Sequence, residues 1–337
     1  MTSPQPTGPV RTIAVTGATG FVGGAIVKRL LASGFAVRAL ARDVTKAAKR
    51  LGHHERLAVV AGEVHDGKAP AELLRGCTAC INLIGIIRED RSGPSGGQTF
   101  ERMHVDAARV MVEACAAAGV RRLLHMSALG VTVDGKAEYQ RTKARGEQLV
   151  RRSGLDWTVF RPGLIHGVDG EFSKQVRDWS EGKIAPWWFV PFFTRMVEHN
   201  DGVIGARMSF EPARIAPVHV DDVAAAFAAA LDRDESIGEV YNLVGNHTLR
   251  WDQMLEWYGK HLPRSAQPPI IGLPALPHIW MAKAAAYLGM GSLLPFDEGM
   301  PAMAEQDQTA DMTKLKAHLN LTPKSFEEAA ARYVRTM

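Results

Sequence analysis

From Thr12 onward, short apolar runs rich in β-branched residues alternate with longer stretches whose apolar positions recur every three or four residues. That is the pattern of a parallel sheet built from strand–helix–strand units. Strands are predicted over 12–15, 36–41, 57–61, 79–84, 122–127 and 157–161. Helices are predicted over 23–33, 99–118 and 139–153, each followed by a terminating glycine, Gly34, Gly119 or Gly154. Beyond Pro162 the alternation stops and aromatic, proline-rich and amphipathic segments follow. The strand–helix–strand pattern returns at 218–220, 221–231 and 240–244. The expected architecture is α/β, a doubly wound parallel sheet of the Rossmann type with a smaller C-terminal lobe facing the substrate. In residue terms this gives a flexible leader at 1–11 and a dinucleotide-binding domain at 12–165, with 216–246 packing back onto it. A smaller substrate or partner lobe is expected from 166–215 and 247–337. Loops are expected at 51–55 and 92–97.

Directly after the first strand stands Thr16-Gly17-Ala18-Thr19-Gly20-Phe21-Val22-Gly23, glycines three apart opening a helix. The first glycine permits a tight turn, the second lets backbone amides approach a pyrophosphate, and the third allows close helix–strand packing. Placed between a predicted strand and helix, the motif points to a bound dinucleotide. The second strand ends Ala41-Arg42-Asp43, with Ala41 where an acidic residue would take a ribose 2′-hydroxyl. Arg42 presents a planar fork suited to a 2′-phosphate, so NADP(H) is expected over NAD(H), with Asp43 left as an alternative ribose partner.

Ser127 ends the fifth strand, and Tyr139 and Lys143 lie four residues apart on the following helix. One helical turn places phenol and ammonium on one face, where the cation is expected to favour the phenolate and lower the tyrosine pKa. In this reading Tyr139 is the acid/base, Ser127 holds the same substrate oxygen, and Lys143 also binds the nicotinamide ribose.

Three further features agree in order with these: the glycine loop, Arg161-Pro162-Gly163-Leu164-Ile165-His166-Gly167 and His219-Val220-Asp221-Asp222-Val223. Together they resemble the extended and atypical short-chain dehydrogenase/reductases of the NAD-dependent epimerase/dehydratase type, over residues 12 to about 250. His125-Met126-Ser127-Ala128-Leu129-Gly130, Tyr139-Gln140-Arg141-Thr142-Lys143-Ala144 and the ending 321–329 with Tyr333 are similar to one branch. That branch contains the NAD(P)-binding accessory subunit of respiratory complex I and its bacterial relatives. The resemblance implies that Val64, Ile84 and Gly85 line the adenine and ribose pockets and that Pro162 and Leu164 lie at the nicotinamide end. It also places His104 where many members carry a proton-relaying asparagine, a ring that can likewise donate and accept. Two functions follow. One is an NAD(P)(H)-dependent oxidoreductase or epimerase; the other is a non-catalytic NADP(H)-binding accessory or assembly protein linked to complex I or quinone metabolism.

Composition narrows the field. Hydrophobic residues at 46% and charged residues at 23% exclude wholesale disorder and fibrous structure. The net charge of +4 is spread along the chain, so nucleic acid is not an expected partner. Three cysteines cannot staple a fold of this size, which favours a reducing, cytoplasmic location. The resemblance adds peripheral contact at the inner membrane face or with a respiratory complex. Cys77-Thr78-Ala79-Cys80 has no second Cys/His pair at ligand spacing, and His53-His54-Glu55 reads as surface loop, so no metal site is expected. The apolar stretch 270–296 is broken by Pro274, Pro277, His278 and Lys283, short of a membrane span. The N-terminus lacks the apolar core of a signal peptide. Pro186-Trp187-Trp188-Phe189-Val190-Pro191-Phe192-Phe193 is either the wall of a site for an apolar or quinone-like substrate, a membrane or partner contact, or packing between lobes. Trp280, Met281, Ala284 and Tyr287, at helical spacings within 276–288, are expected on a core helix.

Overall fold

The computed structural model describes residues 10–91, 97–185, 188–199, 207–287 and 306–337. The expected leader up to residue 9, most of the expected loop at 92–97, Pro186, Trp187 and Leu288 lie outside the described residues. Seven strands form the main sheet: β1 (Thr12–Thr16), β2 (Ala36–Ala41), β3 (Leu57–Ala61), β4 (Ala79–Asn82), β5 (Arg122–Met126), β6 (Asp156–Pro162) and, after five short or peripheral strands, β12 (Glu239–Leu243). All neighbours pair parallel in the order β12-β6-β5-β4-β1-β2-β3. The order reverses between β1 and β4, and this switch point opens a crevice at the carboxyl ends of the strands.

The helices are α1 (Phe21–Ala32), α2 (Val44–Leu51), α3 (Ala69–Leu74), α4 (Ala107–Ala117), α5 (Glu138–Arg151), α6 (Glu171–Ser180), α7 (Val220–Ala230), α8 (Trp251–His261) and α9 (Ala275–Tyr287). Short helices at Thr313–Leu319 and Phe326–Ala330 follow. Side chains alternate across a strand. Along β1, Ile13 and Val15 therefore enter a cluster with Ile26 and Leu30 of α1 and Phe227 of α7, while Ala14 enters the opposite cluster with Leu73 of α3 and Met111 of α4. Both faces of the sheet are covered in this way, as a parallel sheet requires.

The remaining strands build a second region. β7 (Ile165–His166) pairs parallel with β11 (Val218–His219), and β10 (Arg214–Ile215) pairs antiparallel with β13 (Leu249–Arg250). β8 (Val190–His199) is flanked by antiparallel β9 (Arg207–Pro212) and parallel β14 (Ile270–Pro274). Val176, Met254, Tyr258 and Phe326 form its core.

The structure departs from the sequence reading in three places. The single helix expected over 99–118 begins as a π-helical turn, Glu101–Asp106, that runs into α4. The helices α2 and α3 were not anticipated. The core-helix expectation fails at two positions of α9, where Trp280 is 70% exposed and Met281 43%, while His278 meets Phe193 of β8; the Tyr287 side chain lies outside the described residues. Among the described residues no helix is long and apolar enough to cross a membrane. Cys80 and Cys115 are buried thiols in the core and Cys77 is half-buried. No cluster of three His, Cys, Asp or Glu side chains able to hold a metal occurs among the described residues.

Candidate active site

The chain leaves β1 through Gly17, whose φ of +66° is a left-handed conformation that glycine adopts without a side-chain clash. A Cβ at Gly23 would stand 2.1 Å from the Gly17 carbonyl oxygen, so α1 can begin tight beneath the turn only with glycine there. The N-cap, Gly20, offers no side chain to the first amides of α1, and no acidic residue occupies the first turn. Those N–H groups and the positive dipole end face the crevice uncapped, as a pyrophosphate requires. Thr19 and Gly20 are exposed at the tip and Val22 is buried. Phe21 lies against Gly167, where a Cβ would meet its ring at 3.0 Å.

Arg42 is exposed just past β2. Its neighbour Asp43 is engaged locally: the carboxylate accepts the Lys46 N–H at 2.9 Å and caps α2, and these bonds hold it below its ordinary pKa.

Ser127 follows β5 and donates its backbone N–H to Phe160 O at 2.8 Å. Its Oγ is buried with no hydrogen-bond partner among the described residues; an unpartnered buried hydroxyl costs about 1–3 kcal/mol. Tyr139 stands half-buried in the first turn of α5, and Lys143 is fully buried one turn later. The Lys143 Nζ donates to Met126 O at 3.1 Å. It passes so close to Gly85 that a Cβ there would lie 2.6 Å away. Burial pushes the Lys143 ammonium down to about 8 and the Tyr139 phenol up to about 12. The expectation that Lys143 lowers the phenol is thus corrected. Burial disfavours the phenolate, so the Tyr139 phenol is neutral at neutral pH.

His104 sits in the π-helical turn. Its Nδ1 is 2.9 Å from Thr142 Oγ1 on α5, and its Nε2 is 3.0 Å from Ile86 O and 3.2 Å from Ile86 N in the segment after β4. The ring stacks on Phe100 and meets Tyr139 edge-on at 5.3 Å between centroids. Burial, then the charge of Lys143, push it down to about 2. Through these contacts the ring links α5 to the chain after β4, beside Tyr139. α5 approaches this turn closely at Gly146, where a Cβ would lie 2.2 Å from His104 O.

Beneath these residues runs a buried network that the sequence reading passed over. Thr16 Oγ1 donates to Asn82 Oδ1 at 2.8 Å, and Asn82 Nδ2 donates to His125 Nδ1 at 3.3 Å. That leaves the His125 proton on Nε2, buried and unbonded, and burial pushes the imidazole down to about 3. The readable signal was a polar residue at the carboxyl end of each of three apolar strands that prove adjacent, β1, β4 and β5.

The remaining expected residues are more dispersed. Val64 is buried in the cluster with Leu40 and Leu73. Ile84 is half-buried, Pro162 is buried at the end of β6, and Leu164 packs against the core of the second region. Arg161 is tied in bidentate fashion to the buried Glu147 at 2.8 and 2.6 Å. Of the aromatic segment, Trp188 is exposed, Phe192 joins the second core and Phe193 meets His278.

Residues 17–183 match the family model described as NAD(P)H-binding, a span that contains the glycine turn, Ser127, Tyr139 and Lys143. Over that span, which is just under half of the chain, the protein is similar to NAD(P)H-binding proteins. The chain is 27% identical over 255 residues to NADH dehydrogenase (ubiquinone) 1 alpha subcomplex subunit 9 of Dictyostelium discoideum. The match covers 75% of this chain and 64% of that relative, so the chain spans less than two thirds of the relative's length. It is also 29% identical over 272 residues to the (4-alkanoyl-5-oxo-2,5-dihydrofuran-3-yl)methyl phosphate reductase of Streptomyces griseus, covering 80% of this chain and 81% of that one. The fold is that of the UDP-glucuronic acid 4-epimerase from Bacillus cereus, solved with UDP-glucuronic acid and NAD. There the TM-score is 0.66, with 19% identity over 96% of this chain and 98% of that one.

Proposed function

We propose that the protein is an NAD(P)(H)-dependent oxidoreductase in which Tyr139 exchanges a proton with the substrate oxygen. The observation that carries this reading is the buried Ser127 hydroxyl, without a hydrogen-bond partner among the described residues, next in sequence to Met126, whose carbonyl holds the buried Lys143 ammonium. The nicotinamide, when bound, supplies or accepts the hydride. Ser127 Oγ donates to the substrate carbonyl and so acquires the partner it lacks, while Tyr139 hands its proton to the developing alkoxide. Lys143, held at Met126 O, turns its remaining donors towards the ribose. Arg42 supports a preference for NADP(H), since its fork suits a 2′-phosphate and Asp43 is engaged in capping α2. Gly17, Gly20 and Gly23 cradle the pyrophosphate, and Gly85 leaves room for the Lys143 side chain.

A second reading, a non-catalytic NADP(H)-binding accessory protein, is supported by the likeness to the complex I subunit. Calorimetric titration with NADPH, NADP, NADH and NAD, combined with a screen for nucleotide oxidation by carbonyl compounds and quinones, separates the two. Turnover that disappears in Tyr139→Phe while NADPH binding persists is the expected result. Tight binding without turnover, indifferent to that substitution, establishes the accessory reading instead.

A further inference from the structure

β9 is the outer strand of the three-stranded sheet, whose order is β14-β8-β9. Among the described residues no strand pairs with its far edge, so a row of backbone N–H and C=O groups faces outward there. Side chains alternate along the strand. Met208 and Phe210, 48% and 59% exposed, lie on one face beside Met196 of β8, which is paired with Phe210 and is itself 51% exposed. Arg207, Ser209 and Glu211 lie on the other face, where Ser209 Oγ donates to Glu211 at 2.9 Å.

The charges of β9 are only partly met within the chain. The exposed Arg207 guanidinium pairs with no carboxylate among the described residues. Glu211 engages Ser209 and His199 through Oε1 alone, so among the described residues its Oε2 is unbonded. Arg207 and Glu211 stand about 13 Å apart along the extended strand, and no ion pair joins them.

The segment Arg207-Met208-Ser209-Phe210-Glu211 is self-complementary when two copies run antiparallel about Ser209. Arg207 then falls opposite Glu211 of the second copy, Met208 opposite Phe210, and Ser209 opposite Ser209. Opposite charges, an apolar–aromatic pair and facing hydroxyls each stabilise an antiparallel ladder, and a thioether against an aromatic ring is favourable in its own right. Parallel pairing in register would instead set Arg207 against Arg207 and Glu211 against Glu211. The existing ladder with β8 uses the opposite edge of β9 and stays intact. Across the joined sheet Met196, Phe210 and the second copy's Met208 form one apolar row, which the two-fold axis repeats.

We infer that β9 is an association edge for a second copy of this chain, pairing antiparallel about Ser209 to extend the sheet across a two-fold axis. A strand of six residues makes a small contact, so the association is reversible and depends on concentration. The inference does not rest on the oxidoreductase reading.

The test is light scattering on the full chain over a concentration series. Wild type should rise from 36.7 kDa towards twice that mass. Arg207→Glu sets like charges opposite at two symmetric places and should raise the midpoint concentration of association at least about tenfold, equivalent to about 1.4 kcal/mol. Combining Arg207→Glu with Glu211→Arg exchanges the charges and should restore wild-type association. Phe210→Lys should weaken association similarly while leaving the thermal midpoint near that of wild type, since the side chain is exposed. Ser209→Cys reads the register directly. Oxidised glutathione should join two copies through position 209, because directly opposite residues of an antiparallel pair lie within disulfide reach. Wild type, with Cys80 and Cys115 buried, should not cross-link under the same conditions. A monomer at every concentration, or a dimer indifferent to Arg207→Glu and Phe210→Lys, overturns the inference. So does a folded charge exchange that fails to restore association, or a Ser209→Cys protein that associates without cross-linking. Should the charge exchange not fold, the Ser209→Cys result decides.

Discussion

Replacing Lys143 by methionine should make the nucleotide-free protein more stable while weakening nucleotide binding. Lys143 is buried and held at about 8 instead of its ordinary 10.5. At about 1.4 kcal/mol per pH unit, keeping that ammonium protonated near pH 7 costs the folded state about 3 kcal/mol. Methionine is close in length and removes the charge, and losing the bond to Met126 O returns about 1 kcal/mol of that gain. A net increase of about 2 kcal/mol is expected at pH 7. The sign follows from linkage. The unfolded chain binds the extra proton between about 8 and 10.5, so wild-type stability rises with pH through that window and the advantage of Lys143→Met shrinks. By pH 10 the cost in the wild type is down to about 1 kcal/mol and the two proteins should be nearly equal. Urea unfolding of both proteins at pH 7 and pH 10, together with NADPH titration, measures this. If Lys143→Met is less stable than wild type at pH 7, or its advantage is the same at both pH values, the buried-cation argument is wrong.

Two further substitutions test the surroundings of the site. Glu147→Gln leaves Arg161 without its bidentate carboxylate in a position only 2% exposed, and urea unfolding should show a loss of about 3 kcal/mol, as for breaking a buried ion pair. A loss below about 1 kcal/mol would mean that Arg161 finds water instead. Gly23→Ala drives a Cβ to 2.1 Å from a backbone oxygen, whereas at Gly20 the nearest atom is 3.3 Å away. Gly23→Ala should therefore abolish NADPH binding and lower the thermal midpoint, with Gly20→Ala milder on both readouts; equal effects would refute the packing role of Gly23.

The main sheet was legible in the chain because its central strands, β1, β4 and β5, are largely buried on both faces, and its strands read as apolar runs close to their observed bounds. The helix α2 escaped because only Ala47 of its eight residues is buried, leaving no apolar period to detect. The ribbon of β8, β9 and β14 escaped for another reason: Val190 pairs with Ile270, 80 residues away, and nothing local announces so distant a partner. At the site, the glycine turn and the Tyr139–Lys143 spacing are local geometry and could be read directly. The direction of the Tyr139 pKa could not, since it depends on how deeply the phenol is buried, a property of the assembled fold. The surroundings of His104 could not be read either, since its hydrogen bonds reach Ile86 and Thr142, 18 and 38 residues away.

Long-distance contacts of this kind run through the whole site. His166 Nδ1 is 2.9 Å from the Tyr333 hydroxyl, which in turn lies 2.6 Å from that of Tyr258, and the next residue, Gly167, lies against Phe21 of the glycine turn. Residues near 20, 166, 258 and 333 are thereby joined through one buried cluster. Loops this long must lose their entropy before the contacts that close them repay it, so such assemblies form slowly. The nucleotide turn, though written in eight consecutive letters, receives its final support from segments made more than 300 residues later. During synthesis its apolar strands await that support, and a dinucleotide that binds only the assembled cluster would act on this chain as a folding ligand.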